Sequence, residues 1–134
     1  MANSVTTQIL EEGQRNAIVK LTAVLDTSDL ALSNAVQMSD INQGGLGFTP
    51  TQVRIDHIDY SISDQLEIQL WWDATTDVII MPIAGRGRMT FWNFGGLTNN
   101  AGAGNTGNVL IKTTGYTSGT QVFSVILECV KQGT

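Results

Sequence analysis

At 134 residues, 42% hydrophobic and 14% charged, the chain has the size of one compact domain and enough apolar side chains to bury a core, which excludes a disordered tail. A net charge of −5 with the Lys and Arg residues scattered excludes a basic stripe that could displace counterions from phosphates, so no direct nucleic-acid partner is expected. Cys129 is the one cysteine, which excludes an internal disulfide and a cysteine zinc cage.

Residues 1–7 are polar and uncharged, without the basic start and apolar run of a signal peptide. No later apolar run is long enough to span a bilayer. The expectation is a soluble protein made in the cytoplasm, with no membrane partner.

Residues 1–10 read as a short extended arm. From Asn16, period-2 alternation takes over: Ala17, Val19, Leu21, Ala23 and Leu25 face a core while Lys20 and Thr22 face out, the pattern of a half-buried strand. Asp26-Thr27-Ser28-Asp29 breaks it with turn-forming side chains. Residues 30–38 follow as a short amphipathic piece, strand or helical turn, and Gln43-Gly44-Gly45-Leu46-Gly47 is a flexible turn.

Val53 and Ile55 then share one phase, and Ile58, Tyr60 and Ile62 the other, which predicts a bulge near Asp56 and His57. Leu66, Ile68, Leu70 and Trp72 alternate with Glu67, Gln69, Trp71 and Asp73. The turn-like residues 73–77 join this strand to an apolar run at 78–83, predicting a hairpin. Met89 and Phe91 continue one face after the Gly/Arg turn at 85–88, and residues 95–108 form a long Gly/Asn loop. The last strands are expected at 109–114 and 121–131, the latter with Phe123, Val125, Leu127 and Cys129 inward, and residues 115–119 between them carry hairpin-turn residues. Regularly spaced short strands without a long amphipathic helix predict an all-β fold, an antiparallel β-sandwich of jelly-roll type, in a single domain.

Several motifs invite a chemical reading. Gly102-Ala103-Gly104-Asn105-Thr106-Gly107 has the letters of a dinucleotide fingerprint, but a strand and not a helix follows it, so it reads as a flexible loop and no cofactor is expected. His57 is the single histidine; the flanking Asp56 and Asp59 are expected on the opposite face of the strand, so neither a metal site nor a triad is expected. Asp73 and Asp77 have oxygens that suit a hard cation, yet the turn offers too few ligands and capping explains them better. Alternation that buries Trp72, Met89 and Phe91 turns Trp71 and Trp92 outward, along with Arg88. Outward tryptophans call for cover by a loop, a protein or a sugar. Trp71, Trp92, Arg88, Gly95, Gly96, Asn99 and Asn100 are therefore the candidate contact residues.

Four stretches carry a resemblance: Thr7-Gln8-Ile9-Leu10-Glu11-Glu12-Gly13-Gln14-Arg15-Asn16, Ile58-Asp59-Tyr60-Ser61-Ile62-Ser63, Leu70-Trp71-Trp72-Asp73-Ala74-Thr75-Thr76-Asp77, and Phe94-Gly95-Gly96-Leu97-Thr98-Asn99-Asn100-Ala101-Gly102-Ala103-Gly104. Together they make the chain similar to small proteins encoded among the structural genes of tailed bacteriophages, some of which decorate and cement the capsid. The resemblance implies a virion protein on the capsid surface, bound to the major capsid protein, as a homotrimer. It carries no catalytic residue onto this chain, so no enzyme and no small-molecule substrate are expected. Residues 1–10 and 95–108 are the expected capsid contacts. The alternatives are a carbohydrate- or receptor-binding module of the virion, using Trp71 or Trp92, and a small hydrolase.

Overall fold

The computed structural model describes residues 3–13, 15–41 and 49–133. The turn expected at residues 43–47 lies outside them, as do the first two residues of the expected arm.

Alternating side chains force strands because each apolar row needs a face to cover it. The strands are β1 (Ser4–Glu12), β2 (Asn16–Leu25), β3 (Ser33–Val36), β4 (Pro50–Ile62), β5 (Glu67–Trp72), β6 (Val78–Ile83), β7 (Arg86–Thr90), β8 (Val109–Thr114) and β9 (Gln121–Gly133), with 3-10 turns at Met38–Asp40 and Trp92–Phe94. They form two antiparallel sheets, β1-β2-β9-β4-β7 and β3-β8-β5-β6, packed as a β-sandwich. The pairing is nested. The β5–β6 hairpin is the innermost pair, and around it come β4 with β7, β3 with β8, and β2 with β9.

The core holds the inward rows of both sheets: Val19, Leu21 and Leu25 from β2, Ile68, Leu70 and Trp72 from β5, and Phe123, Val125 and Leu127 from β9, each at most 2% exposed. Full burial of a large apolar side chain contributes roughly 2–3 kcal/mol. The register of β4 on β9 shifts between Ile55 and His57, the expected bulge. It lets Val53 and Ile55 before it, and Ile58 and Ile62 after it, all reach the core.

Two expectations need correction. Residues 115–119 do not close a hairpin: β8 pairs with β3 and β5, and β9 with β2 and β4, so this segment carries the chain from one sheet to the other. Turn residues are the same whether a strand folds back or crosses over. The expected arm is, from Ser4 onward, edge strand β1, in register with β2 from Ser4 opposite Val24 to Glu12 opposite Ala17. The piece at residues 30–38 divides into β3 and the start of a 3-10 turn at Met38.

Candidate functional site

Alternation ends at Phe91, which is buried and whose N–H donates to the Asp56 carbonyl at 2.7 Å. The chain then winds through Trp92–Phe94. The Phe94 and Gly96 amides both donate to the Phe91 carbonyl, at 3.2 and 2.8 Å, and Leu97 and Ile55 exchange amide bonds at 2.8 and 3.0 Å. Gly95 and Gly96 have φ of 95° and 82°. A Cβ on Gly96 would lie 2.5 Å from Asp56 Oδ1 and 3.2 Å from the Ile55 carbonyl oxygen, which together with its left-handed backbone favours glycine where the turn sits against β4.

This braced turn holds Trp92 and Phe94 outward, 60% and 64% exposed. The Phe94 ring meets Phe91 edge-on, centroids 6.2 Å apart at 70°, which anchors one exposed ring to the core. Large exposed aromatic groups on a turn braced by hydrogen bonds are candidates for contact with a protein partner. The outward position expected for Trp92 agrees with its exposure, and Phe94 joins it as a second exposed ring on the same turn.

Gly95 and Gly96 thus support the aromatic pair, and Asn99 and Asn100 begin the loop beyond it. Asn99 Oδ1 accepts from the Ala101 amide at 2.9 Å and from Asn105 Nδ2 at 3.0 Å, whereas Asn100 is exposed. Hydrogen bonds tie the C-terminal end of this loop to its surroundings. Thr106 Oγ1 donates to Asp73 Oδ2 at 2.7 Å, the Thr106 amide donates to the Asp73 carbonyl at 3.1 Å, and Asn108 Oδ1 accepts from the Met38 amide at 2.8 Å. Asp77 caps its turn, accepting from the Ala74 amide at 3.0 Å.

Trp71 is not part of this surface. It lies on the outer face of the four-stranded sheet, half-buried, beside a cavity of about 310 Å³ lined by Leu30, Leu32, Asp77, Lys112 and Thr114. Residues 95–108 do not line it. Lys112 Nζ stands 5.7 Å from the centre of the indole, and the indole N–H is buried without a hydrogen-bond partner among the described residues. Arg88 is exposed and bridges Asp59 at 3.5 Å and Glu128 at 3.2 Å across the outer face of the five-stranded sheet. Exposed ion pairs of this kind add little stability.

The opposite-face placement expected around His57 needs correction. The bulge carries Asp56 to its side, so His57, Asp56 and Glu128 line one outward pocket with Glu11, and Asp59, two residues on along β4, shares the outward face. Among the described residues no group of three or more His, Cys, Asp or Glu is placed to hold a metal ion. Cys129, at the edge of that pocket, is buried, and its thiol is pushed up to about 12 by desolvation and then by the nearby Asp56 and Glu128 carboxylates. It is a poor nucleophile. No helix among the described residues is long and apolar enough to cross a membrane. No protein-family model, no curated protein and no solved structure matches the chain.

Proposed function

We propose that this chain is a non-enzymatic structural protein of a tailed-bacteriophage virion that binds the assembled capsid and stabilises it. The observation that carries the reading is the Trp92 and Phe94 pair, exposed on a turn whose backbone is fixed by Ile55, Asp56 and Phe91. A rigid aromatic anchor loses little conformational freedom on docking. The nested pairing of the strands supports reading the sandwich as jelly-roll-like, and the family resemblance points to the major capsid protein as the partner. Selective binding to the assembled lattice stabilises it, since a ligand of one state shifts the equilibrium toward that state.

Particles made without the protein are expected to assemble and then lose DNA at a lower temperature than complete particles. Purified virions that contain none of it, or hold it only at the tail, would overturn the reading. A glycan-binding role has one observation in its favour, the Trp71 cavity with Lys112, Asp77 and Thr114 around an apolar floor. A glycan array with a Trp71→Ala control tests it.

A further inference from the structure

A free sheet edge offers unpaired N–H and C=O groups, and proteins blunt such edges with short strands, proline, bulges or charge. The other edges here carry those devices. β3 has four residues and a register shift against β8. β6 contains Pro82 and shifts against β5. β7 has five residues, among them Gly87, Arg86 and Arg88.

β1 carries none of them over its first six residues. It is nine residues long, has no proline, and keeps its charges and its register shift at the far end, beyond Ile9. All of its residues except Glu12 are exposed. Val5 and Ile9, opposite the buried Ala23 and Val19, remain 39% and 37% exposed on the core-side face. A strand in this state is built to be paired.

We propose that the outer edge of β1, which pairs with no strand among the described residues, pairs antiparallel with β1 of a second copy, about a two-fold axis at Thr7. The occupant follows from the sequence of the strand. On the core-side face the row Val5, Thr7, Ile9 has the same character read in either direction, so about Thr7 each Val5 meets an Ile9, and Thr7 meets Thr7. These are β-branched cross-strand pairs, the favoured kind. On the other face Ser4 meets Leu10 and Thr6 meets Gln8. Charge selects the direction: an in-register parallel pair stacks Glu11 on Glu11 and Glu12 on Glu12, whereas the antiparallel pair sets Glu11 near Asn3. In a chain of net charge −5 that difference matters.

The pair is isologous, consumes both unguarded edges and closes, joining two five-stranded sheets into one. A trimer built through β1 would require it to meet a different strand head-to-tail. The pairing does not rest on the capsid reading, because it concerns the free protein in solution.

The test is the mass of the full-length chain by light scattering at tens of micromolar. The expected value is twice the 14.4 kDa of one chain. Thr7→Lys brings two ammonium groups together at the axis and is expected to return the mass to one chain with an unchanged strand spectrum. Thr7→Cys is expected to give a covalent dimer on mild oxidation, and Gln8→Cys none, since Gln8 faces Thr6; the buried Cys129 stays out of the reaction. If Thr7→Lys does not fold, the two cysteine variants still decide the matter. A monomeric or trimeric mass for the natural chain, a dimeric mass for folded Thr7→Lys, or equal crosslinking by both cysteine variants would overturn the proposal.

Discussion

Lys131 Nζ lies 3.2 Å from Glu12 Oε1 and 2.9 Å from the Gly13 carbonyl oxygen, with the lysine side chain fully buried and the carboxylate 20% exposed. This contact fastens the end of β1 to the end of β9. Removing the carboxylate leaves a buried ammonium with one neutral acceptor, while removing the ammonium leaves a carboxylate that still reaches water. Glu12→Ala is expected to destabilise the fold by about 3 kcal/mol, the low end for breaking a buried pair. Lys131→Met should cost less than about 1 kcal/mol, since an apolar chain of similar length fills the site. Urea denaturation of both variants checks the asymmetry, and equal losses would contradict it.

Cys129 provides a pH prediction. Its thiol is pushed up to about 12 in the folded protein, from an ordinary value of 9.0. The folded state therefore keeps its proton where the unfolded state loses it, and the contribution to stability is complete below pH 9 and lost as pH rises toward 12. Iodoacetamide at pH 8 is expected to leave the native protein unlabelled and to label it fully in denaturant. Rapid native labelling would show an accessible thiol.

The loop before β8 makes a demand on one residue. Gly107 has φ of 84°, and a Cβ there would collide with the Thr51 carbonyl oxygen. Gly119 has φ of 74° with no atom within 4 Å of its Cβ position. Gly119→Ala is expected to cost about 1 kcal/mol for the left-handed backbone alone, and Gly107→Ala clearly more, because Thr51 must also move. Thermal melts of the two variants separate conformational strain from collision.

The aromatic pair predicts a separation of binding from stability. Trp92→Ser with Phe94→Ser removes exposed rings, and the pair of changes is expected to alter folding stability by about 1 kcal/mol or less. Retention on capsids lacking the native protein should fall at least about tenfold, as for loss of an interface anchor. Unchanged retention by the folded double variant would place the contact elsewhere.

Period-2 alternation located β2, β4, β5 and β9 because each inward row had to be apolar, and even the bulge beside His57 showed as a change of phase, whereas exposed β1 read as an arm. Strand partners were less legible. The residues at 115–119 describe a turn, and turning says nothing about which sheet receives the next strand. Alternation also runs past Cys129 to Lys131, but a lysine in an inward position has no sequence signature until Glu12, far away in the chain, is seen to meet it. The exposure of Trp92 could be counted from the phase of β7. That of Phe94 depends on hydrogen bonds to Phe91, which no local pattern announces.

The nested pairing also orders events in time. β9 lies between β2 and β4, yet it is made after both, so the larger sheet has no centre until the chain has been synthesised past Gln121. Before that moment the inward rows of β2 and β4 have no strand to bridge them, and long sequence separations must be closed all at once. Folding is expected to be slow, on the order of milliseconds to seconds, with refolding yields that fall as concentration rises because bare strands of different chains compete for the same partners.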